Sequence, residues 1–418
     1  MLVVHTADVH IGVENYGIPD PETRSSSRLK DFLETLDEVV EYSITQNADL
    51  VLFAGDQYKS RNPSQTHQRE FAYRISKLAN SGIQVFLLAG NHDSPNIPGP
   101  ATALDIFTAL DVENVHIANS LETHLIKTKS GPIQIIALPW IRKGQFMSSI
   151  DESDESLSNE DLKASIEEKI TTAVKHLAKG LDPTIPSVLA GHVSVDSATT
   201  SSEKSMMLGK DYVLLKSAIA LPELDYIALG HIHKHQILNT SPKIVYPGSL
   251  QRIDFGEEKD VKGFCALTLD PSQTLQNRET SFNFIPVNAR KFVTIRIDIN
   301  DSEHNPMDKI FRSIDTYEIE NAIVQVFIET PANKSQDINE TKIRSYLANA
   351  HFVATVRKNI ITESRNRLGK SLSESIAPVE ALSAYLDERQ LPDEKKKILL
   401  ERGKSLIEEI PPGTILKK

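Results

Sequence analysis

The residues able to do chemistry in this 418-residue chain fall in five short clusters: Asp8 and His10 in "ADVH", Asp56 in "AGDQ", Asn91, His92 and Asp93 in "AGNHDS", His192 in "AGHV", and His231 and His233 in "GHIH". Carboxylate oxygens, an amide carbonyl and imidazole nitrogens make a mixed donor set that suits Mn²⁺, Fe²⁺ or Zn²⁺ in five or six coordination. Asp8, His10, Asp56, Asn91, His192, His231 and His233 are too many for one ion that keeps positions open to water and substrate. They fit two ions bridged by one carboxylate, ~3.5 to 4 Å apart. One histidine after an apolar strand is weak evidence, but five clusters that each follow an apolar run predict a shared site. Glycine precedes Asp56, Asn91, His192 and His231, and its expected role is to let the chain turn sharply off the strand. His5 is expected inside a strand. His67, His116, His124, His176, His304 and His351 are expected to be structural or solvated, and His235 to lie at the surface.

The elements that must position these side chains are short apolar runs: "MLVVHT", "ADLVLFA", "IQVFLLA", "PSVLA" and "LDYIAL". They read as strands buried on both faces. From Arg24 to Gln46, Leu29, Phe32, Leu36, Val39 and Val40 recur at helical spacing, and a second helix carries Phe71, Ile75 and Leu78. A third is expected over Leu162 to Leu177. Strands alternating with helices indicate an α/β fold, whose strand carboxyl ends converge on one rim where ligands bind.

At 418 residues, with 39% hydrophobic and 25% charged residues, the chain is expected to form two or three globular units. The single Cys265 and the start "MLVVHTADVH" predict a reducing, cytoplasmic location and no membrane association. A net charge of −11 argues against a nucleic-acid partner, an objection that locally bound cations weaken. The acidic, serine-rich segment 148–162 reads as a solvated loop. After Gly263 come strands at "KFVTIRIDI", "AIVQVFIET" and "HFVATVRKNI", with helices near Met307 to Ile314 and Glu340 to Ala348, which predict a smaller α+β unit. Residues 362–374 read as a polar linker. Residues 375–418 carry two apolar stripes, predicting a helical hairpin whose apolar faces need cover.

The order D-x-H, G-D, G-N-H-D, G-H, G-H-x-H resembles that of the calcineurin-like metallophosphoesterases. "HTADVHIG", "GNHDSP" and "YPGSLQRIDFGEEKDVKGF" are similar to SbcD-type DNA exonuclease subunits, over residues 1 to about 265. That resemblance implies a metallophosphoesterase β-sandwich flanked by helices (αββα) over 1–280. It further implies a DNA-capping α+β domain over 285–361, then the 362–374 linker and a 375–418 helical segment that docks on an SbcC-type, SMC-like ATPase. Asp8, His10, Asp56 and His233 would hold one metal, and Asp56, Asn91, His192 and His231 the other, most simply Mn²⁺ with Mg²⁺ as the second choice. His92 would be the acid that protonates the leaving oxygen or stabilises its charge, oriented by Asp93. Relatives tend to carry His or Asp three residues after the bridging aspartate, where this chain has Lys59; Lys59 is expected either as a solvated loop residue or in contact with substrate phosphate as a point charge.

The implied activity is 3′ to 5′ exonuclease action on duplex ends and endonuclease action on single strands or hairpins in DNA repair and recombination. The implied homodimer would form through helices of the phosphoesterase domain, the one carrying Phe71 and Ile75 being a candidate. Arg357, Lys358, Arg365, Arg367 and Lys370 could track a phosphate backbone, although a solvated linker is the simpler reading. Two other classes stand beside this one: an enzyme for small phosphodiesters or nucleotides, and a silent scaffold that only binds DNA ends.

Overall fold

The computed structural model describes residues 1–22, 24–94, 101–141, 159–201, 212–275, 277–361, 378–388 and 393–408. Most of the segment 148–162, the linker 362–374, and with it Arg365, Arg367 and Lys370, lie outside the described residues. The chain divides into two compact units, the first of Met1–Ile295, Arg312–Val326 and Glu340–Val356, the second of Arg296–Phe311, Phe327–Asn339 and Arg357–Lys418.

The first unit is built on β1 (Leu2–Thr6), β2 (Leu50–Phe53), β3 (Gln84–Leu88), β4 (Val115–Ala118), β5 (Glu122–Thr128), β6 (Gly131–Leu138), β7 (Ser187–His192), β8 (Ser194–Val195), β9 (Val213–Leu214), β10 (Tyr226–Gly230), β11 (Gln236–Thr240), β12 (Lys243–Tyr246), β13 (Gly263–Leu269) and β14 (Glu279–Pro286). One six-stranded sheet runs β14-β13-β1-β2-β3-β4 and a second runs β11-β12-β10-β7-β6-β5. β1 to β4 pair in parallel, as do β6, β7, β10 and β12, while β13, β14, β11 and β5 join antiparallel.

Alternation along each strand assigns its two faces to two different cores. In β1 and β2, Val3, Leu50 and Leu52 point into an inner core shared with Val188, Ala190, Tyr226 and Ala228 of the other sheet. Val4, Val51 and Phe53 point outward onto the helices Ser27–Thr45 and Gln65–Asn80, meeting Leu36, Val40, Phe71, Ile75 and Leu78. On the far side Leu189, Ile227 and Leu229 pack against Ile166, Ile170 and Val174 of the helix Asn159–Lys179. The result is the expected αββα sandwich, with the runs apolar on both faces because both faces are covered. Phe71 and Ile75 are fully buried in this core, as their periodicity predicts, so any dimer contact of their helix would use its other face.

Strands Phe292–Asp298, Ile323–Pro331 and Phe352–Ile361 form the three-stranded sheet expected after Gly263. In the second unit the helices Pro378–Glu388 and Asp393–Glu408 pair, with Gly403 leaving the space that Leu382 fills. Tyr385, Ile398, Leu399 and Leu406 remain exposed on that pair. No helix among the described residues is long and apolar enough to cross a membrane.

His5 sits within β1 as expected, wholly buried, its Nδ1 3.0 Å from the Tyr226 hydroxyl. Burial pushes its pKa down to about 3. The native state therefore holds this imidazole neutral, while the unfolded chain takes up a proton near pH 6.5. Stability is present in full above that pH and is lost as pH falls from 6.5 toward 3. His5→Gln is expected to flatten this acid limb, by about 1.4 kcal/mol per pH unit of the window, measured by urea denaturation at pH 7, 6 and 5.

Candidate metal centre

All five clusters lie at strand tips, but the rim they occupy belongs to two sheets. Asp8, Asp56 and Asn91 follow β1, β2 and β3 of the first sheet, whereas His192 ends β7 and His231 follows β10 of the second. The inner core holds the sheets face to face, so their carboxyl ends come together at one rim. Asp8, His10, Asp56, His192, His231 and His233 are buried, and Asn91 and His92 are half-buried.

The ligand atoms meet. His10 Nε2 lies 3.0 Å from His233 Nε2, and Asp8, His10 and His233 form a group compact enough to hold a metal ion. Asp56, His192 and His231 form another, and Asn91 Oδ1 joins it at 2.9 Å from His192 Nε2 and 3.2 Å from His231 Nδ1. Between them stands Asp56, whose Oδ2 is 3.8 Å from His10 Nε2 and 3.4 Å from His192 Nε2. His92 makes a third compact group with His10 and Asp56. The oxygen and nitrogen donors fit a divalent transition metal or Mn²⁺.

The backbone is bent to present them. Asp8, His10, Asp56 and His231 all have positive φ, between 49° and 96°, a region that L-residues with a Cβ occupy at a cost. Of the four glycines singled out above, only Gly55 has a positive φ, at 97°, so the turning role holds there. Gly90 and Gly230 are required by close approach instead. A Cβ on Gly90 would lie 2.1 Å from Asp56 Oδ1, and one on Gly230 would lie 2.0 Å from the Ala54 carbonyl oxygen.

Charge and hydrogen bonding set the protonation of each ring. His192 Nδ1 donates to the Ala54 carbonyl at 2.8 Å, which aims Nε2 at Asp56 and Asn91. Burial would raise the Asp56 carboxyl, but His192, His92 and His10 together pull it well below the usual range. Burial would likewise lower His192, yet Asp56 and Asp8 raise it to about 9. Burial pushes the Asp8 carboxyl up to about 6, against the pull of His233 and His192.

Two expectations change. Asp93 does not orient His92. Its Oδ2 accepts from the backbone N–H groups of Asp56, Gln57 and Gly90 at 2.8, 3.3 and 2.9 Å, and its Oδ1 from that of Tyr58 at 3.2 Å. His92 is oriented instead by the Lys59 carbonyl, which accepts from its Nδ1 at 2.9 Å, while its own backbone N–H donates to Asp56 Oδ1 at 2.8 Å. Lys59 thus has a structural part through its main chain. His235 is not a surface residue but a half-buried ring stacked on Phe284 at 4.0 Å, with Nδ1 donating to the Tyr246 carbonyl at 2.9 Å.

Two contributors carried no sequence signal of their own. Trp140 tilts against the His231 ring at 5.0 Å. Glu257, fully buried, accepts from His233 Nδ1 at 2.8 Å and pairs with buried Lys262 at 2.7 Å. Glu257 and Lys262 belong to the stretch "YPGSLQRIDFGEEKDVKGF", where Asp254, Glu257, Glu258 and Asp260 look alike as acids after a turn.

A family model described as Calcineurin-like phosphoesterase matches residues 1–235. The chain is 26% identical over 283 residues to the D subunit of the nuclease SbcCD from Bacillus subtilis, covering 65% of this chain and 67% of that protein. It is 28% identical over 271 residues to the protein of the same name in Rhodobacter capsulatus, covering 60% and 62%. It is 26% identical over 272 residues to "DNA double-strand break repair protein Mre11" of Archaeoglobus fulgidus, covering 62% and 52%. The chain thus spans from about half to about two thirds of the length of these curated relatives.

Because Asp93 serves four buried amides, Asp93→Ala is expected to destabilise the metal-free protein by about 3 kcal/mol or more. His92→Ala is expected to leave its thermal midpoint within a few degrees. Thermal denaturation of both variants in chelator checks the contrast.

Proposed function

The chain belongs to the calcineurin-like phosphoesterase family, and from that premise we propose that it is a DNA nuclease that hydrolyses phosphodiester bonds at DNA ends with two divalent cations, Mn²⁺ first and Mg²⁺ as substitute. The observation that carries the reading is Asp56 Oδ2 standing 3.8 Å from one ring of the His10 group and 3.4 Å from one ring of the His192 group. In this reading Asp8, His10, Asp56 and His233 hold one cation, and Asp56, Asn91, His192 and His231 the other. Bound there, the pair supplies Lewis-acid polarisation of a phosphodiester and acidifies an attacking water.

The chain's own residues do the rest. Asp56 is held ionised and fixed by the His92 N–H, so its second oxygen is constant in position. His92, with Nδ1 committed to the Lys59 carbonyl, has Nε2 for proton transfer. To act as the acid for the leaving oxygen it must carry a proton on both nitrogens, which burial opposes and the neighbouring Asp56 favours. Asp93 clamps the loop of Asp56 to the loop of Asn91 and is a brace, not a proton carrier. The Lys59 side chain is assigned to substrate phosphate as a point charge.

The names of the relatives above, a nuclease subunit and a DNA double-strand break repair protein, support a DNA substrate; 3′ to 5′ exonuclease and single-strand or hairpin endonuclease action, and work in repair with an SbcC-type ATPase, are part of the same proposal and rest on the family resemblance. Residues 285–361 are assigned to capping the DNA and 375–418 to the ATPase, in a homodimer. The exposed Tyr385, Ile398, Leu399 and Leu406 suit the second assignment, being apolar side chains that need cover.

The test is degradation of linear duplex DNA with Mn²⁺ by the wild type and by His92→Ala. The variant is expected to lose about 10²- to 10⁴-fold in rate while still taking up two ions by calorimetry. Hydrolysis of bis-p-nitrophenyl phosphate with DNA left intact would replace the nuclease reading by the small-phosphodiester one. A folded wild type that takes up fewer than two Mn²⁺ would overturn the two-cation part.

A further inference from the structure

The rings at the rim differ in what stands behind them. His192 and His92 each give their Nδ1 proton to a main-chain carbonyl, at 2.8 and 2.9 Å. His233 gives its Nδ1 proton to a carboxylate, Glu257 Oε1, at 2.8 Å. Glu257 closes the short 3₁₀ turn Phe255–Glu257 and is fully buried. Its Oε2 lies 2.7 Å from Lys262 Nζ, accepts from the Ile253 N–H at 3.2 Å and lies 3.5 Å from Ser249 Oγ. Lys262 in turn donates to the His233 carbonyl at 3.0 Å and to Ser249 Oγ at 2.9 Å, so one ammonium holds both the histidine's backbone and the carboxylate behind its ring.

A buried ion pair is a poor way to fill space, since apolar residues of the same volume serve packing as well or better. Its placement gives it a different use. A carboxylate on Nδ1 keeps the proton there, leaves the lone pair on Nε2, and makes that nitrogen a stronger donor to a cation than a carbonyl-backed imidazole. His233 Nε2 is the atom that faces His10 Nε2 at 3.0 Å. We infer that Glu257, locked by Lys262, is a positioning residue that fixes the ring form of His233 and makes the Asp8–His10–His233 group the tighter of the two cation sites. The inference rests on the two-cation reading and adds an order of loading to it.

Mn²⁺ titrated calorimetrically into the metal-free full chain is expected to bind in two phases. Glu257→Gln should weaken the tighter phase by about 10- to 100-fold and leave the other within about twofold, and Glu257→Asp should restore most of the loss. Equal weakening of both phases, or none, overturns the inference, since a merely structural role would lower the melting temperature without choosing one phase. If Glu257→Gln fails to fold, the Glu257→Gln/Lys262→Met pair, which removes both charges, takes its place with the same outcomes. Independently, long-range ¹H–¹⁵N spectra of the metal-free wild type, assigned with His233→Asn, should show a proton on His233 Nδ1. A bare Nδ1 overturns the inference. A wild type that binds fewer than two ions overturns the two-cation reading instead and leaves that ring proton to be read separately.

Discussion

Everything at the rim is organised around one buried carboxylate that must stay charged. Burial alone would raise the Asp56 carboxyl, and His192, His92 and His10 pull it well below the usual range. The attraction works both ways, because the same charge raises His192 to about 9 against its own burial. Neither group could be accommodated at this depth without the other, since an isolated buried charge shifts its pKa and neutralises. The loops are tied to this point by Asp93, whose carboxylate gathers amides from both Gly90 and the Asp56–Tyr58 segment. Burial and the neighbouring Asp56 charge lift Asp93 itself to about 7, and the Gly90 and Tyr58 amides it collects pull the other way.

The second constraint is conformational. Four of the candidate ligand residues occupy left-handed backbone regions that cost of order 1 to 3 kcal/mol each, at Asp8, His10, Asp56 and His231. A rigid two-sheet core supplies the support, because the strands that end in these residues are buried on both faces. The candidate ligand set is consequently shaped by the fold itself, which is the condition for a site with little reorganisation.

Much of this was legible in the chain. Apolar runs ending in small residues and then in Asp, Asn or His were enough to place the strands, the helices over Leu29–Val40 and Phe71–Leu78, and the convergence of the candidate ligands. Periodicity reports which faces are covered and is silent on which sheet a strand joins. The split of the rim between β1–β3 and β7–β10 was therefore beyond it. Hydrogen bonding to main-chain atoms leaves no mark on residue order, so the true work of Asp93, the Lys59 carbonyl behind His92 and the burial of His235 against Phe284 emerged only in three dimensions. Glu257 was hidden for another reason: its acidic neighbours offer the same chemistry, and only the turn decides which of them reaches the ring.

The His192 ring occupies the space a side chain at position 55 would need, with Nδ1 2.1 Å from where that β-carbon would stand. Residues 137 positions apart, 192 minus 55, are thereby locked into one choice. A chain that replaced His192 with something smaller would relax this steric veto, although the φ of 97° would still favour glycine there. Position 55 can drift only after position 192 has changed, which sets a one-way order on how the site could be dismantled by successive substitutions.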